Sequence, residues 1–185
     1  SAIDTVRYFD TDDRAMDKFA GHLSAYPLHL QRCQSVEEAV EHVDLVTTAT
    51  AAKCEADILT RSLLQPGVHI NAIGGDCFNK TELNPALLED CKIVVEYLPQ
   101  TQQEGEIQHL DGLIHAELWE IVQSKKPGRE SDQEITLFDS VGFALEDYSV
   151  LKLVYRLMQQ YQLGGQVALV PEAKVDPKNL FSLML

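Results

Sequence analysis

The chain has 185 residues, 45% of them hydrophobic and 24% charged, a composition typical of a soluble globular protein. This length predicts one domain, or one domain with a tail, and it is enough to bury a hydrophobic core. The formal net charge of −14 argues against nucleic acid or an anionic membrane surface as the main partner. The same charge is compatible with steering a small cationic substrate, although acidic surfaces more often serve solubility.

The cysteines and the apolar runs narrow the class of protein further. Cys33, Cys54, Cys77 and Cys91 form no C-x-x-C pair and no His/Cys cluster, so we expect reduced thiols and no metal site. No apolar run reaches the roughly 18 residues that a membrane span needs, and the N-terminus lacks a charged leader followed by an apolar core. These features predict a cytoplasmic protein.

The first half of the chain alternates between strand and helix patterns. "TVRYFDTD" is typical of a strand that ends in acids, and "DDRAMDKFAGHLSAY" has apolar residues at helical spacing. "LHLQRC" predicts a second strand, after which Ser35 and Glu38 form a capping box for the helix "SVEEAVEHV". "DLVTTAT" predicts a short strand, and "VHINAIGG" predicts another that follows a Pro66–Gly67 turn.

The second half continues the alternation. Asn84 and Pro85 predict the start of a short helix, "KIVVEY" and "ITLFDSVG" predict strands, and "ALEDYSVLKLVYRLMQQY" predicts a long helix. We expect one face of that helix to be core, namely Leu151, Val154, Tyr155 and Met158. Strands and helices at this spacing predict the α/β class with a Rossmann-like, doubly wound parallel sheet.

One expected feature of such a sheet is missing from the sequence. A dinucleotide-binding half normally opens with a strand and a G-x-G-x-x-G turn, and this chain has no such spacing. Yet the first strand ends near Asp10, and an acid at the tip of the second strand binds a ribose hydroxyl in such folds. The chain therefore reads as a Rossmann-like sheet without its first strand and glycine-rich loop.

Small and polar residues follow three of the predicted strands. Thr50, Asp76 and Ser140 stand just past strand ends, where open parallel sheets bind ligands. Gly74 and Gly75 would let a ligand approach the backbone, and partial burial would move the pKa of Asp76 upward toward working pH. A plain turn with a solvated Asp, and strand-end hydroxyls that satisfy backbone groups, are the alternatives.

The remaining polar residues suggest no site. Glu96, Glu104 and Glu106 are too far apart to presume a pair of catalytic carboxylates, and we expect them to be solvated. The six histidines have no ligand spacing, and His69 is expected to be buried on its strand.

Three long stretches carry a family resemblance: "GVHINAIGGDCFNKTEL", "VEYLPQTQQEGEIQ" and "ITLFDSVGFALEDYSVLKLV". The chain resembles the ornithine cyclodeaminase and mu-crystallin family, and most of all its bacterial ornithine cyclodeaminase branch. The resemblance implies an NAD-dependent homodimer with a Rossmann domain and a substrate and dimerisation domain. It therefore implies that residues 1–150 form a partial NAD-binding domain and that residues 151–185 return toward the substrate domain.

The reaction implied by the resemblance is conversion of L-ornithine to L-proline and ammonia by a cyclising ammonia lyase. Hydride leaves the α-carbon for NAD⁺, the side-chain amine attacks the resulting imine, ammonia departs, and hydride returns to the cyclic imine. The resemblance makes Asp76 the catalytic proton carrier and Val141 a substrate contact. The implied cofactor contacts are Asp10, Thr50, Ala72, Ile73, Gly74, Gly75, Lys80 and Ser140.

Some family features have no counterpart here. The glycine-rich loop and the basic residues that bind the substrate carboxylate would lie upstream of Ser1, so we expect the 185 residues alone to be inactive. Phe78–Asn79 also replaces the usual Pro-Gly before Lys80. An NAD(P)-dependent amino-acid dehydrogenase or imine reductase is one alternative, and a non-catalytic, crystallin-like nucleotide-binding protein is another.

Overall fold

The structure is a computed structural model that describes residues 3–50, 55–110, 112 and 114–165. It divides into two compact units, Ser1–Phe143 and Ala144–Leu185. The first unit holds every strand of the described residues, and the second begins with a long helix. The predicted boundary at residue 150 falls inside that helix, and the predicted tail beyond residue 165 lies outside the described residues.

Strands and helices alternate along most of the first unit, as the hydrophobic patterns predict, apart from a run of four strands between Leu45 and Leu83. In chain order the elements are β1 (Thr5–Tyr8), α1 (Asp13–Leu23), β2 (His29–Arg32), α2 (Val36–Val40), β3 (Leu45–Thr48), β4 (Glu55–Leu59), β5 (His69–Ala72), β6 (Thr81–Leu83), α3 (Pro85–Glu89), β7 (Cys91–Val95), α4 (Leu98–Glu104), β8 (Ile114–Glu117), α5 (Leu118–Val122) and β9 (Ile135–Asp139). A 3₁₀ turn covers Arg61–Leu63, and α6 (Ala144–Tyr161) opens the second unit.

Every strand pair in the described part of the chain is parallel. The main sheet has five strands in the order β3-β5-β9-β7-β8, while β1-β2 and β4-β6 form separate two-stranded sheets. In such a sheet the carboxyl ends of the strands meet at one edge, which is where ligands bind in open α/β folds. The predicted α/β, Rossmann-like parallel fold is confirmed.

Side-chain caps begin three helices, at Ser35 and Asn84 where the sequence predicts. The capping box predicted at Ser35 forms only in part, because the Glu38 side chain accepts from the backbone N–H of Gln34 instead of that of Ser35. Asp12 caps α1 by accepting from the backbone N–H of Arg14, and Ser35 caps α2 by accepting from that of Glu38. Asn84 caps α3 with Pro85 in its first turn. These caps fix the ends of helices that would otherwise fray, because the first backbone N–H groups have no partner inside the helix.

The core lies between the main sheet and its flanking elements. The side chains of Ile70, Ala72, Ile93 and Val95 are fully buried on the central strands. Helix α3 adds Leu87 and Leu88, and the small β4-β6 sheet adds Leu59 and Leu83, so both sheets share one hydrophobic cluster. None of the described helices is long and apolar enough to cross a membrane.

The structure corrects two expectations about individual elements. Strands β4, β6 and β8 and helix α5 were not predicted from the pattern; β6 has only three residues, which are too few to show a period. The expectation that one face of α6 is core is wrong for the described residues, since α6 has no buried residue and Leu151 is 67% exposed.

Candidate functional site

Three loops meet at the carboxyl edge of the main sheet. Thr50 follows β3, Ile73 to Asp76 follow β5, and Ser140 and Val141 follow β9. These strands are immediate neighbours, and backbone hydrogen bonds continue past their ends, from Ile73 N to Thr48 O at 3.0 Å and from Ser140 N to Ala72 O at 2.9 Å. The folded chain thus sets the three predicted loops side by side.

Asp76 and Lys80 form an ion pair in the loop after β5. The Lys80 ammonium donates to Asp76 Oδ1 at 2.9 Å, and the lysine side chain is 10% exposed while that of the aspartate is 57% exposed. The hydrogen bond from Lys80 lowers the pKa of Asp76 below its ordinary value. The expected upward shift is therefore wrong, because the neighbouring cation stabilises the carboxylate more than its small burial destabilises it.

The same pair keeps Lys80 charged, since its hydrogen bond to Asp76 raises the pKa of the ammonium. The loop thus presents an exposed carboxylate in its ionised form, held by a nearly buried cation. Such a carboxylate can accept a proton, and anything that pulls Lys80 away would raise the pKa of Asp76 and help it to keep that proton.

Gly74 and Gly75 are buried against carboxyl groups of the protein itself. A Cβ at Gly74 would collide with the carboxyl group of Glu82, and one at Gly75 would stand 2.7 Å from Glu106 Oε1. The structure therefore gives these glycines a role that the sequence did not suggest, which is to make room for two internal acids. Between Ala72 and Asp76, Ile73 is the residue that offers apolar surface, with 46% of it exposed.

Glu82 connects that loop to Thr50. Its Oε1 accepts from the backbone N–H of Thr50 at 2.7 Å and from the Thr50 hydroxyl at 2.5 Å. Glu82 is fully buried, and its Oε2 has no hydrogen-bond partner within the described part of the chain. The Thr50 hydroxyl is thus held by a protein carboxyl group.

Two further acids lie in the interior beside Glu82. Glu106 is 3% exposed and Asp139 is fully buried. Burial raises the pKa of each to about 7, although backbone N–H groups that donate to both carboxyl groups oppose the shift. A buried carboxylate is tolerated only where such donors replace water, so these acids hold the surrounding backbone in place.

Ser140 also has a carboxylate partner. Its hydroxyl donates to Glu96 Oε1 at 2.5 Å, and the backbone N–H of Gly142 donates to Glu96 Oε2 at 2.6 Å. Glu96 directly follows β7, so it fixes the turn after β9 from the neighbouring strand end. Val141 lies within that turn and is half-buried.

Asp10 stands two residues past β1, on the separate β1-β2 sheet. Its Oδ1 accepts from the backbone N–H of Asp12 at 2.8 Å, which orients the carboxylate. That Asp10 binds a ribose hydroxyl stays a prediction.

The expectation that Glu96, Glu104 and Glu106 are solvated is wrong for Glu96 and Glu106. Glu96 is half-buried and bonded to Ser140, while Glu106 is buried, and Glu104 accepts from Gln100 within its own helix. Sequence reasoning missed these residues because spacing along the chain says little about loops that meet at a sheet edge. The sequence feature that could have drawn attention to them is Gly105, which lies between Glu104 and Glu106 directly after helix α4.

His69 is half-buried on β5, as expected, and bonds Thr136 Oγ1 at 2.7 Å. Burial lowers the pKa of its ring, so it is a neutral structural residue. Among the described residues no group of three or more His, Cys, Asp or Glu is arranged to hold a metal ion. Cavities of about 420 and 450 Å³ lie elsewhere, and neither includes a predicted site residue.

Comparison with known proteins decides the family. The model of the "Ornithine cyclodeaminase/mu-crystallin family" matches residues 1–161. The chain belongs to this family. An ornithine cyclodeaminase from Brucella abortus biovar 1 (strain 9-941) is 44% identical over 184 residues, which cover 99% of this chain and 51% of that protein.

Two solved structures of relatives share the fold. An archaeal alanine dehydrogenase dimer with bound NAD matches with a TM-score of 0.82 and 33% identity, over 92% of this chain and 54% of that one. The Thermococcus litoralis Δ1-pyrroline-2-carboxylate reductase in complex with NADH and L-proline matches with a TM-score of 0.82 and 32% identity, over 89% of this chain and 53% of that one. The chain therefore spans about half the length of the ornithine cyclodeaminase/mu-crystallin relatives that it matches.

Proposed function

We propose that this chain is the cofactor-binding part of an NAD-dependent ornithine cyclodeaminase, which converts L-ornithine to L-proline and ammonia. The observation that carries the proposal is the Asp76–Lys80 pair at the carboxyl edge of the sheet, in a chain 44% identical to a Brucella ornithine cyclodeaminase. A carboxylate at this edge is the group that the reaction needs, because protons must move on two amines.

The residues present fit a nicotinamide dinucleotide. Asp10 offers a carboxylate oxygen for a ribose hydroxyl, and Ile73 offers exposed apolar surface next to β5 for an aromatic ring. Thr50, Lys80 and Ser140 remain proposed contacts, together with the backbone from Ala72 to Gly75. When bound, NAD would accept a hydride from the substrate and later return it.

Asp76 is proposed to carry protons at the substrate nitrogen atoms. Paired with Lys80, its carboxylate is ionised and can take a proton from a substrate ammonium. A substrate ammonium at the loop would compete with Lys80 for the same carboxylate. Once the substrate nitrogen has given up its proton and Lys80 is displaced, no cation would stabilise the carboxylate, so the pKa of Asp76 would rise and the group would hold the proton that it later gives to the departing ammonia. Val141, beside Ser140, is proposed to contact the substrate.

The test uses the full-length protein with L-ornithine and a catalytic amount of NAD⁺, and it follows proline, ammonia and NADH absorbance together. We expect proline and ammonia in equal amounts without lasting NADH. Asp76→Asn should lose turnover and keep its affinity for NAD, while Asp132→Asn, an exposed acid far along the chain, should behave as wild type. Retained turnover in Asp76→Asn would refute the assigned role.

A dehydrogenase or imine reductase is the second candidate, because the two solved relatives are an alanine dehydrogenase and a pyrroline-carboxylate reductase. For either activity, NADH would accumulate or be consumed in step with turnover. Two further runs separate the candidates: excess NAD⁺ with an amino acid, in which a dehydrogenase accumulates NADH, and NADH with a cyclic imine, in which a reductase consumes it. Since the archaeal relative is described as a dimer, we also propose that the full-length protein is a homodimer.

A further inference from the structure

The small β4-β6 sheet carries Lys80 and Glu82 at its edge but is separate from the main sheet. Strand β6 pairs with β4, and no strand pairing of the described residues joins it to the five-stranded sheet. Apolar contacts through Leu83 bury the strand without fixing its position along the main sheet, because such contacts are not directional. Directional contacts must therefore set where Lys80 and Asp76 stand.

Glu106 supplies those contacts on one side. Its Oε1 lies 2.9 Å from the backbone N of Glu82, and its Oε2 lies 3.0 Å from that nitrogen and 2.9 Å from the backbone N of Leu83. Both oxygens of the carboxyl group accept from these donors, and burial excludes the water that would otherwise compete for them. Two neighbouring donors of β6 are thus held by one buried carboxyl group.

Gln108 holds the residues just before β6. Its side-chain oxygen accepts from the backbone N–H of Asn79 at 2.7 Å, and its amide nitrogen donates to Lys80 O at 3.1 Å and to Gly105 O at 2.9 Å. Glu106 and Gln108 therefore bind residues 79–83 on both sides of Lys80. We call these two side chains the 106/108 clamp.

The segment held by the clamp contacts two parts of the candidate site, Asp76 and Thr50. Lys80 Nζ reaches Asp76 at 2.9 Å from inside the clamped segment, and the Glu82 side chain reaches back to Thr50. The clamp itself is anchored, because the backbone N–H of Ile107 donates to Asp139 Oδ2 at 3.2 Å at the end of β9. A continuous chain of contacts thus connects the main sheet to the Asp76–Lys80 pair.

We propose that Glu106 is a positioning residue for the reaction: its carboxyl group fixes residues 79–83 and thereby the place of Asp76 and Lys80. This inference rests on the proposed function for the reaction that it serves. Glu106 itself touches no reacting atom. Because a displacement of about 1 Å at a catalytic group can cost on the order of 100-fold in rate, loss of the clamp should lower kcat.

The test compares Glu106→Gln with Glu104→Gln in the full-length protein. In Glu106→Gln, an amide N–H₂ would replace one of the two carboxyl oxygens. Because an N–H₂ cannot accept from a backbone N–H, part of the hydrogen bonding to Glu82 N and Leu83 N would be lost. Glu104 lies at the end of helix α4, where its side chain accepts from Gln100 of the same helix, and it gives a matched control. We expect Glu106→Gln to lower kcat about 10- to 100-fold with KM for ornithine changed less than about threefold. Glu104→Gln should match wild type.

Hydrogen exchange measured by mass spectrometry gives a readout that needs no activity. Glu106→Gln should speed exchange in peptides covering residues 79–83 and leave those covering β5 and β7 unchanged. Unchanged exchange there, or an unchanged kcat, would overturn the inference, and so would faster exchange over the whole protein. If Glu106→Gln fails to fold, Gln108→Ala removes the more exposed half of the clamp and should show the same local pattern with a smaller loss of kcat.

Failure of the proposed function would look different. A wild-type protein that does not convert ornithine would refute the cyclodeaminase proposal alone. The exchange comparison would still decide whether Glu106 holds the loop, and kcat would then be compared for the substrate that the protein does turn over.

Discussion

Replacement of Gly74 by alanine tests the claim that the glycines make room for internal acids. The new Cβ would occupy the position of the Glu82 carboxyl group, which is fully buried and cannot move into solvent. Either the loop shifts, or Glu82 loses its bonds to Thr50 at 2.7 and 2.5 Å. Overpacking costs about 1 to 3 kcal/mol, and a buried polar group left without its partner costs about 1 to 3 kcal/mol more.

We therefore expect Gly74→Ala to lower the free energy of unfolding by about 2 to 6 kcal/mol, measured by urea denaturation of the full-length protein. Gly21→Ala is the control, because a Cβ there meets nothing within 4 Å and the residue lies in helix α1. That control should be neutral or stabilise by up to about 1 kcal/mol.

A double variant identifies the cause of the loss. Glu82→Ala removes the group that the new Cβ strikes, so Gly74→Ala should cost much less in that background than in wild type. Such non-additivity is the mark of two residues in contact. If the two losses simply add, or if Gly74→Ala is as harmless as Gly21→Ala, the close approach does not limit this loop and the reasoning is wrong.

Two further predictions follow from the shifted pKa values. Folding raises the pKa of Asp139 from its ordinary 3.8 to about 7. Between these two pH values the folded protein keeps a proton that the unfolded chain releases. The contribution of Asp139 to the free energy of unfolding therefore falls as the pH rises. Asp139→Asn should make the free energy of unfolding decline less between pH 4 and 7, by on the order of 4 kcal/mol at most. If urea titrations show the same pH dependence of the unfolding free energy in the variant and in wild type, the raised pKa of Asp139 is contradicted. Lys80→Met removes the cation that lowers the pKa of Asp76, so the acidic limb of the kcat/KM profile should move to higher pH; an unmoved limb would mean that Asp76 does not control it.

Much of the fold can be predicted from the sequence because many of its helices and strands depend on patterns of neighbouring residues. The apolar period of "DDRAMDKFAGHL", the caps at Ser35 and Asn84 and the continuous apolar run "KIVVEY" each depend on neighbouring residues alone. Strand β6 was not predicted because three residues are too few to show a period. The expected burial of α6 was wrong because an apolar helix face does not show which segment, if any, packs against it.

The candidate site likewise has a part that local sequence patterns predict and a part that they do not. That Thr50, Asp76 and Ser140 follow strand ends is a local fact, and the rule that parallel strands share a carboxyl edge suffices to expect them together. The partners of these residues are not local. Glu82 lies 32 positions from Thr50, and Glu96 lies 44 positions from Ser140.

The direction of the Asp76 pKa shift was likewise decided by tertiary structure. From the sequence, a carboxylate near an apolar strand suggests burial and a raised pKa, whereas the loop turns Lys80 onto Asp76 and leaves the carboxylate exposed. Sequence by itself determined the parallel α/β fold and the strand ends that carry the candidate residues. Only the folded chain decided that the glycines pack against Glu82 and Glu106 and that buried acids hold the loops, because burial and charge pairing depend on which distant segments meet.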